Sequence, residues 1–178
     1  MSEIAEKVPF GYEPPKDEHK GTIVYYDSFQ HTTDRELDLA AYLTKERSFT
    51  KLVLYPLHEL SVKRMSKEEV SPFYKREDRL HEWKRAVEAS NVVVERFEIK
   101  RKKYTPIDSA LRHLSETYPK PLFLLMTGEM ANLFASFSSF EEWIVRIRLL
   151  LTEEPVNLHP RLLQYNHRWE PIVKKNKV

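Results

Sequence analysis

The chain has 178 residues, a formal net charge of +2, 41% apolar and 12% aromatic residues, three glycines, eleven prolines and no cysteine. That length suits one domain with a real core, and the near-neutral balance argues against a dedicated nucleic-acid binder. Without cysteine there are no disulfides or thiolate metal sites, and three glycines cannot build a P-loop or a glycine-rich dinucleotide fingerprint.

Residues 1–20 are polar, carry Pro9, Pro14 and Pro15, and read as a flexible or extended arm. They show no basic-then-apolar signal pattern, and every apolar run is too short to span a bilayer. The expected compartment is therefore the cytoplasm, with no membrane partner. Thr22–Asp27 (TIVYYD) is a β-branched and aromatic run that predicts a buried strand. A polar turn follows, then a helical spacing through Leu37, Ala40, Ala41 and Tyr42. Lys51–Pro56 (KLVLYP) predicts a second strand, and residues 57–70 read as a long polar loop.

Ser71-Pro72 looks like an N-cap with proline at the first helical position, and Tyr74, Arg79, Leu80, Trp83 and Val87 continue that helix. Asn91–Ile99 predicts a third strand, and Thr105-Pro106 repeats the cap signal before Ile107, Leu111 and Leu114. Pro121–Gly128 (PLFLLMTG) is the most hydrophobic strand, and a helix is expected to start at Ser138 or Ser139. The run IVRIRLLL fits periods of 3.6 and 2 equally. Phe134, Phe137, Phe140 and Trp143 recur at near-helical spacing, a stripe that usually belongs to a core but can lend one ring for stacking.

Strands alternating with helices predict an α/β domain over residues 21–152, doubly wound around a mostly parallel sheet, with residues 153–178 as a tail packing on it or extending from it. In such sheets ligands bind beyond the carboxyl ends of the strands. The turns after Asp27, Pro56 and Ile99 and at Gly128 are the places to search. His31, Thr32 and Thr33 stand at a helix N-terminus, where free N–H groups and the dipole favour an anion; the plainer reading is a threonine cap. Lys63, with Arg64 and Lys67, could reach a phosphate, or form a solvated loop with Glu59, Glu68 and Glu69. Gly128 would let backbone approach a ligand closely. Nothing in the sequence spacing marks a metal site.

Over roughly Phe73–Trp143 the chain resembles the nicotinate and nicotinamide mononucleotide adenylyltransferases of the HIGH-motif nucleotidyltransferase superfamily. EDRLHEWKRAVEASNVVVERFEIKR is similar to that family's aspartate-arginine helix followed by a strand ending in a glutamate and an arginine, here Asp78-Arg79, Glu98 and Arg101. KYTPIDSALRHL resembles its S-Y-T-x-D-T-L segment through Tyr104, Thr105 and Asp108, and PLFLLMTGE resembles the strand ending in G-x-D. Phe137 falls where the family often has a tryptophan that stacks on the pyridine ring. The first turn, G-x-F-D-P-x-[HT]-x-G-H in the family, keeps only Tyr26 and Asp27 by type, with His31 matching the first histidine after one insertion. The C-terminal I-S-S-T-x-I-R segment has no counterpart.

The resemblance implies a nucleotidyltransferase-like, Rossmann-like domain of NAD biosynthesis ancestry. It implies a nucleotide ligand: ATP, nicotinamide mononucleotide (NMN), nicotinate mononucleotide (NaMN) or NAD. His31 would be the catalytic residue. Asp27, Ser28, Thr32, Thr33 and Lys63 would lie toward phosphates, Thr105 and Phe137 toward the base, and Gly128 against a ribose. Mg2+ is expected only with active adenylyl transfer, which the altered turn and missing segment weaken. The alternatives are an active adenylyltransferase with rebuilt phosphate contacts, and a non-catalytic module that binds a protein partner.

Overall fold

A computed structural model describes residues 21–172. Strands β1 (Thr22–Asp27), β2 (Lys51–Pro56), β3 (Val92–Val94), β4 (Leu122–Met126), β5 (Arg148–Leu151) and β6 (Trp169–Pro171) form one sheet in the order β3-β2-β1-β4-β5-β6. Every neighbouring pair is parallel. The helices between them are α1 (Asp34–Glu46), α2 (Glu59–Met65), α3 (Phe73–Val87), α4 (Phe97–Arg101), α5 (Ile107–Thr117), α6 (Gly128–Ala135), α7 (Phe140–Ile144) and α8 (Pro160–Gln164), with a 3-10 turn at Asn166–Arg168. This is the expected α/β class, a Rossmann-like sheet with helices on both faces.

Side chains alternate across a strand, so a run that is apolar at every position must be covered twice. β1 does this: Ile23 and Tyr25 enter one core, Val24 and Tyr26 the other. Leu37, Ala40 and Leu43 of α1 and Leu80 and Trp83 of α3 cover the first face. The second is covered by Ile107, Ala110, Leu111 and Leu114 of α5, Phe134 of α6 and Trp143 of α7. Each fully buried leucine or isoleucine contributes about 1.5–3 kcal/mol. Gly21 (φ +120) opens β1 because a Cβ there would meet the Pro121 carbonyl oxygen at 2.1 Å.

Several boundaries differ from expectation. The loop 57–70 contains α2, whose N-cap is His58: its Nδ1 accepts from the Leu60 N–H at 3.0 Å. His159 caps α8 in the same way, accepting from the Arg161 N–H at 3.0 Å. Histidine is not among the preferred caps, so neither start stands out. The third strand ends at Val94 rather than Ile99, because Glu98 belongs to α4 and its carboxylate is needed at the end of β2. Ser71 and Thr105 do not cap; Pro72 and Pro106 hold the N-cap positions. The run IVRIRLLL divides, with α7 ending at Ile144 and β5 starting at Arg148.

The domain does not stop at residue 152. The segment expected as a tail supplies α8, the 3-10 turn and β6, the sixth strand. Arg168 anchors it, donating to the carbonyls of Ile144 at 2.9 Å and Ile147 at 2.8 Å. The arm expected over residues 1–20 and the last six residues lie outside the described part of the chain. Among the described residues no helix is long and apolar enough to cross a membrane.

Candidate functional site

The strand order reverses between β1 and β4, so the turns leaving these two strands diverge to opposite faces and leave a crevice between them. A cleft of about 1020 Å³ opens there. One wall is the turn after β1, with Asp27, Ser28, His31 and Thr32, continued by Glu36 of α1. The opposite wall is Thr127, Glu129, Met130, Leu133 and Ser136, and the stretch from Met65 to Glu68 closes a third side. Tyr26 and Phe29 do not plug it, since both turn into the two cores.

The β1 turn is held rigidly. Asp27 accepts from the Ser28 N–H and from Thr32 Oγ1, both at 2.8 Å. Phe29 adopts a left-handed conformation (φ 61), a strain of about 1–3 kcal/mol for a bulky residue. Burial of its ring edge-on to Tyr25, 5.0 Å between centroids, helps to offset that strain. The Gln30 side chain pairs with Ser71, accepting from its N–H at 2.7 Å and donating to its hydroxyl at 3.2 Å.

Arg76, 3% exposed, reaches from α3 beneath the turn. Its guanidinium donates to the carbonyls of Ser28 (2.8 Å), Leu57 (2.6 Å) and Ser71 (2.8 Å), and pairs with Glu59 at 3.2 Å. Arg79 donates to the carbonyls of Phe29 and Thr32. Behind this, Glu98 accepts from Tyr55 Oη at 2.7 Å and the His58 N–H at 2.8 Å, locking α4 to the end of β2.

The charge of the cleft is the main departure from a phosphate site. Four carboxylates line it (Asp27, Glu36, Glu68 and Glu129), against Lys67 and the titratable His31. Burial raises the Asp27 carboxyl above its ordinary value; its two hydrogen bonds oppose that, and Glu68 and Glu36 add to it. Burial likewise raises the Tyr25 hydroxyl, with Asp27, Glu36 and Glu153 contributing.

Both helix N-termini at the cleft are partly satisfied from within. On α1, Thr33 and Glu36 form a capping box: the Thr33 N–H donates to Glu36 Oε1 at 2.8 Å and the Glu36 N–H to Thr33 Oγ1 at 3.2 Å. On α6, Thr127 Oγ1 accepts from the Met130 N–H at 3.0 Å, and Glu153 accepts from the Gly128 N–H at 2.8 Å. An internal carboxylate thus occupies the place where an anion would dock.

Of the residues singled out from sequence, the structure brings Asp27, Ser28, His31 and Thr32 together on the cleft. The His31 side chain is 80% exposed, with Nε2 3.6 Å from Glu68 Oε2. Thr33 is engaged as the cap of α1. Lys63 lies on α2 away from the lining, and Lys67 takes its place. Thr105 is fully buried, its N–H donating to Ser61 Oγ at 3.0 Å. Phe137 packs against the core, and its carbonyl accepts from Arg161 at 2.8 Å. Gly128 faces the chain rather than the cleft, since a Cβ there would meet Pro155 Cα at 2.8 Å.

The sequence reading missed Glu36 and Met130 as lining residues, and Arg76 beneath them. Only Glu36 carried a signal, three residues beyond a capping threonine.

The residues present do not fit a resident Mg2+. Asp27 is buried with both oxygens engaged, and among the described residues no three His, Asp or Glu side chains are placed so that they could hold a metal ion. Neither a protein-family model nor a curated protein matches this sequence.

Proposed function

We propose that this domain binds a nucleotide or dinucleotide in the cleft between the ends of β1 and β4, and holds it by the nucleoside rather than by the phosphates. The observation that carries this reading is the joint opening of the two turns onto one large cleft at the reversal of strand order. Carboxylates accept hydrogen bonds from ribose hydroxyls, and Glu36 and Glu129 provide such acceptors. Met65, Met130 and Leu133 supply polarizable, apolar surface for a planar base. Phosphates then point toward Lys67 and His31 at the rim.

Adenylyl transfer asks for more than this. Its catalysis is positioning plus stabilisation of charge on the transferring and leaving phosphates, and each preorganised donor lost typically costs about 2.7–4 kcal/mol. Among the described residues the cleft lining holds no arginine, and Glu153 takes the Gly128 N–H at the start of α6. Binding without transfer is therefore the function assigned.

Titration calorimetry with adenosine, ATP, NMN, NaMN and NAD tests it. Binding of at least one, weakened by Met130→Trp, is expected, with adenosine and ATP within about threefold of each other, a difference under about 0.7 kcal/mol. Silence from all five at millimolar concentration ends the nucleotide reading. ATP binding far more tightly than adenosine ends the nucleoside-first part of it.

A further inference from the structure

A second, smaller cavity lies at the opposite end of the sheet. It is bounded by the start of β4 at Pro121 and Leu122, by Ile147 just before β5, and by the facing sides of α5 and α7, with a volume of about 660 Å³. Its charge is the reverse of the first cleft: three cations, Arg112, Lys120 and Arg146, stand against one carboxylate, Glu116. The hydroxyl-bearing Ser115 shares its wall.

Two of the cations are preset rather than merely near. Trp143, 3% exposed, donates its indole N–H to Asp108 Oδ1 at 2.7 Å, and Arg112 Nη2 approaches the two oxygens of the same carboxylate at 3.2 and 3.1 Å. Those bonds hold the Asp108 carboxyl below the usual carboxylate range, the indole contributing most. They also hold the Arg112 guanidinium carbon 6.0 Å from the Trp143 ring centroid, while that of Arg146 lies at 5.2 Å. A guanidinium oriented in this way loses less freedom on binding an anion than one swinging in solvent. Arg112 makes both bonds to Asp108 through Nη2, so its remaining N–H groups can serve a ligand. Arg112 and Arg146 are each more than half exposed, so a ligand can reach them.

We propose that this basic cavity is an anion site, separate from the nucleotide cleft, that takes a small ligand with two or more negative charges such as a phosphomonoester. Asp108, 3.1 Å from Arg112, and Glu142, 3.6 Å from Arg146, offset two of the charges, so the anion is held by the oriented N–H donors rather than by net charge. The cavity volume admits the phosphate and a few further atoms, with Leu122 and Ile147 offering apolar contact. Lys120 supplies a point charge, and the two arginines supply forks suited to phosphate oxygens.

The test uses the intact protein with inorganic phosphate, pyrophosphate and phenyl phosphate as probes, followed by calorimetry and by amide and indole shifts in NMR spectra. Pyrophosphate is expected to bind, with perturbations at Trp143 and Ser115. The double variant Lys120→Gln/Arg146→Gln leaves the Asp108–Trp143 bond intact and weakens binding by about tenfold or more. Glu116→Gln, which removes the carboxylate in the cavity lining, tightens it. Lys67→Gln, in the other cleft, leaves it unchanged. Absence of pyrophosphate binding, unchanged affinity in the double variant, or a loss caused by Lys67→Gln instead would each overturn the assignment. Because these probes contain no nucleoside, the outcome does not depend on the reading of the first cleft.

Discussion

Replacing Arg76 by methionine removes the charged group beneath the β1 turn while keeping most of the side chain's length. In the native fold that guanidinium serves the carbonyls of Ser28, Leu57 and Ser71 and the carboxylate of Glu59 from a position 3% exposed. Burial pulls its pKa down, and Glu59 pulls it back. Methionine returns none of these bonds and leaves the Ser28 and Leu57 carbonyls without that donor. Each buried acceptor left unsatisfied costs about 1–3 kcal/mol, and the Ser28 and Leu57 carbonyls carry most of the loss because Glu59, 38% exposed, regains water. We expect Arg76→Met to lose about 3–5 kcal/mol, a fall in Tm of roughly 6–20 °C at about 2–4 °C per kcal/mol. Urea unfolding followed by tryptophan fluorescence reads this directly, since Trp83 lies on the same helix. Arg76→Lys, with one point charge in place of a planar fork, should recover less than half of the loss. A loss under about 1 kcal/mol for Arg76→Met would refute the view that this residue holds the two turns together.

Asp27→Asn should change the pH dependence of stability in a defined direction. The native carboxyl has a raised pKa, so the folded state binds its proton more readily than the unfolded chain, and wild-type stability falls as pH rises from the unfolded value through the folded one. The variant lacks that loss, and its stability relative to wild type should rise between acid and neutral pH; a pH-independent gap would contradict the burial of the charge. Gly128→Ala should destabilise by about 1–3 kcal/mol because its Cβ runs into backbone at Pro155 and Glu153; the ordinary gain of alanine over glycine in a helix, seen as a raised Tm, would be the contrary result.

The strands were legible because four of them are runs that tolerate burial on both faces, and their alternation with helices fixes a parallel sheet. That pattern marked four turns as places to search, and the strand order brings those after β1 and β4 together. What escaped was of two kinds. Some elements start on unusual chemistry: His58 and His159 accept from the backbone as caps, and β6 is three residues ending in proline, an edge strand too short to show a period. The other kind is pairing across distance. Arg76 meets Ser28 from 48 residues away and Glu98 meets Tyr55 from 43, and no local spacing encodes either. Gly128 was visible as unusual, yet it is glycine because Pro155 crosses over it.

On the proposed reading, charge decides which part of a nucleotide the cleft would hold. At an effective dielectric of about 20, a phosphate charge roughly 4–7 Å from a carboxylate is opposed by about 2–4 kcal/mol. Asp27, Glu36, Glu68 and Glu129 all face the same space, while Glu36 already binds the start of α1 and Glu153 the start of α6. Lys67 and His31 cannot balance four carboxylates around a triphosphate, and His31 Nε2 lies only 3.6 Å from Glu68 Oε2. A ribose and a base carry no charge and bring donors that carboxylates accept, so the same residues that repel phosphate favour the nucleoside. Phosphates kept at the rim, outside that repulsion, add little either way, which is why adenosine and ATP are expected to bind within about threefold of each other.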